Sequence, residues 1–148
     1  MSDCFIEIVP KDPFLLLPGT LLEEARANLA SRIKCDSVTV ECYDTPEFIN
    51  CLSNLERILC PLCGSEIDFD WWSDAMDTAS ESGFTDLDTE TPCCHKTVSL
   101  NDLNYDFPCA FARCVIIITN PVDDLPEDAE KRVREILGTQ TRTVRAHL

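Results

Sequence analysis

RCVIIITNP, residues 113–121, is the stretch on which the fold turns. Cys114, Val115, Ile116, Ile117 and Ile118 are all apolar, with no alternation. A strand with one face in water alternates, so a strand apolar at every position is covered on both faces and central in its sheet. Pro121 ends it. Pro126 marks the start of a following helix, with Glu127, Asp128 and Glu130 at its positive end. Ala129, Val133, Ile136 and Leu137 form the apolar face of that helix, its basic residues cluster late, and Gly138 stops it. TRTVRAHL (141–148) then alternates Val144, Ala146 and Leu148 against Thr143, Arg145 and His147, as a strand does.

The same β-α-β unit is written earlier in the chain. FIEIVP (5–10) places Ile6 and Ile8 on one face before Pro10 and Pro13 break it. A helix follows over 20–34, with Thr20 and Glu23 spaced as a capping box and Leu22, Ala25, Leu29 and Ile33 as its apolar stripe. SVTVEC (37–42) is a second strand, Val38, Val40 and Cys42 facing one way. One domain of 148 residues is therefore expected, of class α+β: a first unit over 1–45, an insertion over 46–112 and a second unit over 113–148. Paired units of this kind form a small mixed or antiparallel four-stranded sheet with both helices on one side, the ferredoxin-like arrangement. The competing layout is two separate strand pairs, each packed on its own helix.

Within the insertion, DWWSDAMDTASE (70–81) is the clearest element. Trp72, Ala75, Met76 and Ala79 fall on one helical face, and Asp70, Asp74, Asp77 and Glu81 fall on the opposite one. Gly83 ends that helix, and DLDTET (86–91) alternates as a short strand. In SLNDLNYDFPCAFAR (99–113), Asn101, Asp102 and Asn104 form turns and caps, while Leu100, Leu103, Tyr105 and Phe107 can pack beside a metal turn.

Two cysteine clusters frame the helix. CPLCG (60–64) suits a metal-binding turn, Pro61 fixing the entry and Gly64 letting the chain reverse so that N–H groups point at the sulfurs. TPCCH (91–95) is the irregular partner. Aligned on CPLCG, Thr91 stands where the first ligand belongs, Cys94 fills the second position and Cys93 is displaced by one residue. The expected set is Cys60, Cys63, Cys93 and Cys94 around a structural zinc, with His95 as a reserve ligand. The other cysteines, Cys4, Cys35, Cys42, Cys51, Cys109 and Cys114, sit in or beside apolar stretches and read as small hydrophobes. The pattern of a zinc nucleobase deaminase is absent, because no His-x-Glu or Cys-x-Glu precedes the Cys-x-x-Cys. With two histidines in the chain, a His-rich hydrolytic site is excluded, and no catalytic residue is assigned.

The net charge is −15, with 27 acidic against 12 basic side chains. Residues 60–130 hold most of the excess, their only cations being Lys96 and Arg113, whereas Lys131, Arg132, Arg134, Arg142 and Arg145 crowd the C-terminal end. Such a field repels phosphate backbones and anionic lipid and favours a basic protein partner. No stretch approaches the roughly 18 apolar residues of a membrane span. The opening MSDCFIEIVPKD lacks the basic region of a signal peptide, so a cytoplasmic protein with reduced thiols is expected.

CPLCG, DWWSDAMDTA, SGFTDLDTETPCC and SLNDLNYDFPCAFAR together resemble a set of small bacterial proteins with a Cys-Pro-x-Cys-Gly turn, a Trp-rich helix and a Pro-Cys-Cys turn. The resemblance covers residues 58–113 and the strand–helix–strand that follows. It implies a bacterial, zinc-ribbon-like module, and no activity. His95 departs from the glycine expected at that point. The functional expectation is a non-enzymatic interaction module of the inhibitor or immunity type, contacting a basic partner through Asp70, Asp74, Asp77, Glu81, Asp123 and Asp124. The alternatives are a nucleic-acid-associated zinc-ribbon regulator and a thiol redox enzyme.

Overall fold

The structure, a computed structural model, describes residues 3–50 and 55–147. In chain order its elements are β1 (Cys4–Pro10), α1 (Gly19–Arg32), β2 (Ser37–Ile49), β3 (Ile58–Leu59), β4 (Glu66–Ile67), α2 (Phe69–Ser80), β5 (Asp88–Glu90) and β6 (Thr97–Ser99). A 3-10 turn (Leu100–Asp102), β7 (Asn104–Tyr105), β8 (Ala110–Thr119), α3 (Glu127–Leu137) and β9 (Thr141–His147) complete the chain. The class is α+β. The principal sheet has the order β2-β8-β1-β9 with every neighbouring pair antiparallel.

That order explains the apolar run. β8 lies between β1 and β2, pairing Ile116 with Ile8 and Val40, and Ile118 with Ile6 and Val38. Cys114, Ile116 and Ile118 face α1 and α3, in one core with Ile6, Ile8, Leu22, Ala25, Leu29, Ala129, Val133 and Leu137. Val115 points the other way. With Val9 and Val144 it meets the insertion's own apolar residues, Ile58, Ile67, Leu87, Leu100, Leu103 and Tyr105. The sheet is thus sandwiched between two helices and the insertion, which is why β8 needs apolar side chains on both faces. Burial of several such side chains, each worth about 1.5–3 kcal/mol, holds both layers to it.

Three local expectations are corrected. Thr20 and Glu23 do not form a capping box: the first helical turn begins earlier, with the N–H groups of Leu21 and Leu22 both donating to the Pro18 carbonyl. Glu23 instead accepts from Arg26 Nε at 2.8 Å. Ile33 falls just beyond the helix as its cap. β2 does not stop at Cys42 but continues to Ile49 past a bulge between Cys42 and Glu47. The bulge absorbs the break in alternation at Asp44, Thr45 and Pro46, after which Phe48 pairs with Phe111. Third, Cys4 and Cys42 are exposed rather than buried, and Cys51 lies outside the described residues, whereas Cys109 and Cys114 are buried as expected.

The second unit follows its pattern closely. Pro126 precedes α3, and Gly138 adopts φ 68° at its C-terminus, the left-handed conformation that ends a helix. Val144 and Ala146 are buried along β9, and Leu148 lies outside the described residues.

One buried amide fastens the insertion to the sheet. Asn101, 4% exposed, accepts the Phe111 N–H at 2.9 Å and donates to the Lys11 carbonyl at 3.3 Å. Arg142, on β9, donates to the Asn101 carbonyl at 2.7 Å. Leu100, Leu103, Tyr105 and Phe107 belong to the same core cluster as Cys60 and Cys94, in keeping with the expectation that they pack beside the cysteine turns.

Candidate metal centre

The two cysteine turns are built alike, residue for residue. At the first, Cys60 N–H donates to the Ser65 carbonyl at 2.8 Å and Gly64 N–H to the Cys60 carbonyl at 3.0 Å. At the second, Thr91 N–H donates to the Lys96 carbonyl and His95 N–H to the Thr91 carbonyl, both at 3.0 Å. Thr91 therefore occupies the place of Cys60, and Cys94 that of Cys63. Gly64 has φ 76° and its counterpart His95 has φ 55°. Reversal of the turn requires this left-handed conformation, which glycine adopts freely and histidine only under strain.

His95 serves this turn through its backbone. Its ring is 75% exposed and its Nδ1 lies 3.5 Å from Glu90 Oε1, away from the sulfurs. The Sγ atoms of Cys60, Cys63, Cys93 and Cys94 all lie within 4.8 Å of one another and could hold a metal ion. Cys63 Sγ is 3.5 Å from Cys93 Sγ, and Cys60 Sγ is 3.9 Å from Cys94 Sγ. Four sulfurs in a tetrahedron about a zinc-sized ion, at about 2.3 Å each, stand about 3.8 Å apart. These two separations lie on either side of that value, so the donor set is of a size to hold such an ion. Thr91 replaces the missing ligand in the packing: its side chain is buried, and Oγ1 accepts from Lys96 N–H at 3.3 Å.

The thiols differ in their readiness to ionise. Backbone N–H groups of Cys63 and Leu62 pull the Cys60 thiol below its usual range. The Ser65 hydroxyl and N–H bring Cys63 down to about 6. Burial raises Cys93, and hydrogen bonding to the Cys63 sulfur together with burial raises Cys94 to about 12. Two sulfurs accept charge readily and two resist it, as expected where four like charges converge. A divalent cation at the centre removes that conflict.

The cysteine turns and the apolar face of α2 share one core. Cys60 is buried at the end of β3, and Cys94 packs against the same cluster as Trp71, Trp72, Ala75 and Met76. Asp68 caps the helix, its carboxylate accepting from Asp70 N–H at 2.8 Å. Trp72 Nε1 donates to the Tyr105 hydroxyl at 3.2 Å, and that hydroxyl donates to the Leu100 carbonyl at 2.8 Å.

With its apolar face held down, α2 turns Asp70, Asp74, Asp77 and Glu81 to solvent, and none of them is in an ion pair among the described residues. Trp71, Asp74 and Glu81 line a cleft of about 450 Å3 whose other wall carries Asp86 and Asp88. The sequence pattern does not single out these last two; they are adjacent to Asp74 only because the turn after α2 folds back. Asp123 and Asp124 are exposed on the loop before α3, and Asp124 is already committed to Arg145 Nε at 2.9 Å, which lowers its pKa. No helix among the described residues is long and apolar enough to cross a membrane. No family model, curated protein or solved structure matches this chain.

Proposed function

We propose that the protein is a non-enzymatic interaction module in which a structural zinc, held by Cys60, Cys63, Cys93 and Cys94, presents an acidic surface to a basic protein partner. The observation that carries this reading is the cleft beside Trp71, where four carboxylates, Asp74, Glu81, Asp86 and Asp88, converge on an aromatic side chain. An aromatic anchor ringed by uncompensated acid suits a cationic segment and speeds its association. Four thiolates fill a tetrahedral zinc and leave no position for a reacting water, which favours a structural role. The strand order with two helices on one face supports the ferredoxin-like reading, and the paired turns support a zinc-ribbon-like insertion. An inhibitor or immunity-type role in a bacterial cytoplasm, toward a cationic toxin or nuclease, is the biological form we favour.

The alternatives have less support. A nucleic-acid regulator would need the C-terminal arginines free, yet Arg132 pairs with Glu135 at 3.2 Å, Arg134 with Glu130 at 3.7 Å and Arg145 with Asp124. A redox Cys-x-x-Cys opens a helix, whereas Cys63 leads into a left-handed Gly64 and the strand β4. Native mass spectrometry of the protein purified from its host reports metal and partner together. One bound zinc and a basic partner, released by salt and weakened by Asp74→Asn/Asp77→Asn, is the expected result. A metal-free protein, or a partner whose binding ignores salt and both substitutions, overturns it.

A further inference from the structure

We propose that the part of the sheet left open by the insertion is a groove that docks an arginine or lysine side chain of a basic protein partner. Only the identity of the ligand's source rests on the function proposed above; the groove itself is separate from the cleft on α2.

Away from the helices, the sheet shows Phe5 and Glu7 of β1, Glu41 and Tyr43 of β2, Ile117 of β8 and Ala146 of β9. The insertion covers Val9, Val115 and Val144 at one end of this face. Ile117, which pairs with Glu7, lies only partly buried at the edge of that cluster, and Ala146, which pairs with Phe5, lies outside it. What remains is a groove of about 320 Å3 with an apolar floor and a wall formed by Glu41, Tyr43, Glu47 and Phe48.

Glu7 is the anomaly. Its carboxyl stands half-buried on an apolar floor with no hydrogen bond or ion pair among the described residues. Burial and the neighbouring Glu41 hold it up at about 7. Glu41 accepts the Tyr43 hydroxyl at 2.7 Å, and Arg113 spends its Nε on the Tyr43 carbonyl at 3.4 Å rather than on either carboxylate. A cation brought from outside is what this arrangement lacks.

The geometry also selects the kind of cation. A metal ion needs its ligand atoms gathered closely, and among the described residues only the four cysteines meet that condition. These carboxylates are more widely spread and are backed by apolar surface. A long aliphatic stem can lie along Phe5, Ile117 and Ala146 while its charged head reaches Glu7 and Glu41. Aromatic rings on the wall add attraction for the same head. Phe48 links the groove to α2 by its edge contact with Trp72, ring centres 5.7 Å apart, so one basic segment could span both surfaces.

The test is a titration of the 15N-labelled, metal-loaded protein at pH 7.5 and low salt with N-acetyl-arginine-N-methylamide, set against its neutral citrulline analogue. The arginine probe should shift the amides of Phe5, Glu7, Ile117 and Ala146, and citrulline should leave them in place. Glu7→Gln/Glu41→Gln should weaken the probe by about tenfold or more, while Glu24→Gln/Glu66→Gln, which removes two exposed carboxylates elsewhere, changes it by less than about twofold. Dispersed sheet amides verify that each variant is folded. Equal shifts with citrulline, shifts confined to other surfaces, or equal weakening by both double variants would overturn the proposal. If Asp74→Asn/Asp77→Asn abolishes capture of the natural partner while the groove amides stay silent, the groove falls and the interaction function stands.

Discussion

Replacing Glu7 by Gln should stabilise the protein at alkaline pH, although a native side chain is being removed. In the unfolded chain this carboxyl loses its proton near 4.5; in the folded protein burial, with Glu41 adding to it, delays the loss to about 7. Between those values the folded state holds a proton that the unfolded state has released. Stability therefore falls as pH rises through that window and levels off above it. At 1.36 kcal/mol per pH unit the window corresponds to about 3.4 kcal/mol. Solvent reaches the partly exposed carboxyl and reduces this to about 1–2 kcal/mol. Gln keeps the shape and discards the charge, so Glu7→Gln should exceed the parent by that amount at pH 8.5. For a domain of this size the gain raises Tm by roughly 3–6 °C. Urea unfolding of both proteins from pH 5 to 8.5 measures it. Subtracting one curve from the other cancels what the cysteine cluster and the remaining carboxylates contribute. The groups facing Glu7 are Glu41 and Tyr43, with Glu47 further along the wall; Arg113 is turned to the Tyr43 carbonyl, and no cation among the described residues pairs with Glu7 to reverse the sign. A variant less stable than the parent at pH 8.5, or a difference that does not grow with pH, refutes the reasoning.

Other outcomes follow from the site and from its attachment. Cys60→Ser and Cys94→Ser should each abolish stoichiometric metal binding, and His95→Ala should retain it, as read by metal analysis after dialysis. Chelation should quench the near-ultraviolet circular dichroism of Trp71 and Trp72, because the cysteine turns and both tryptophans share one core. His95→Gly relieves a left-handed residue and should add about 1 kcal/mol of stability in urea without altering metal stoichiometry. Asn101→Ala leaves the Phe111 N–H without its acceptor and should cost about 2–3 kcal/mol, with the loss visible as faster amide exchange at Phe111.

Much of this architecture can be read in local pattern. The unbroken run at 114–118 implies cover on both faces, and the covering layers are α1 with α3 on one side and the insertion on the other. The stripe of Trp72, Ala75, Met76 and Ala79 identifies α2 because helical period does not depend on context. Aligning TPCCH on CPLCG finds the equivalence of Thr91 and Cys60, since both turns repeat one hydrogen-bond pattern. The choice between Cys93 and His95 is not legible, because it depends on whether a side chain or a backbone φ is in demand at position 95. Thr20 misleads for a similar reason: the capping spacing is present, but Pro18 starts the helix first. The groove at Glu7 is invisible in FIEIVP. Four strands distant in sequence must come together before a carboxylate in an ordinary alternation becomes an unpaired one.

The order of strands carries a consequence for how the chain is made. β1 has no neighbour in its sheet until β8 and β9 arrive from the far end of the sequence. On the ribosome, β1 therefore waits until most of these 148 residues have been made. The metal turns need no such delay: the last of the four clustered cysteines, Cys94, emerges before β8 begins at Ala110. A cation captured at that stage would knit the middle of the nascent chain while its beginning was still unpaired. It would also offer β8, on emergence, a prepared apolar bed for Phe111 and Val115. Supply of metal during synthesis, as much as in the finished protein, would then govern how many chains escape aggregation.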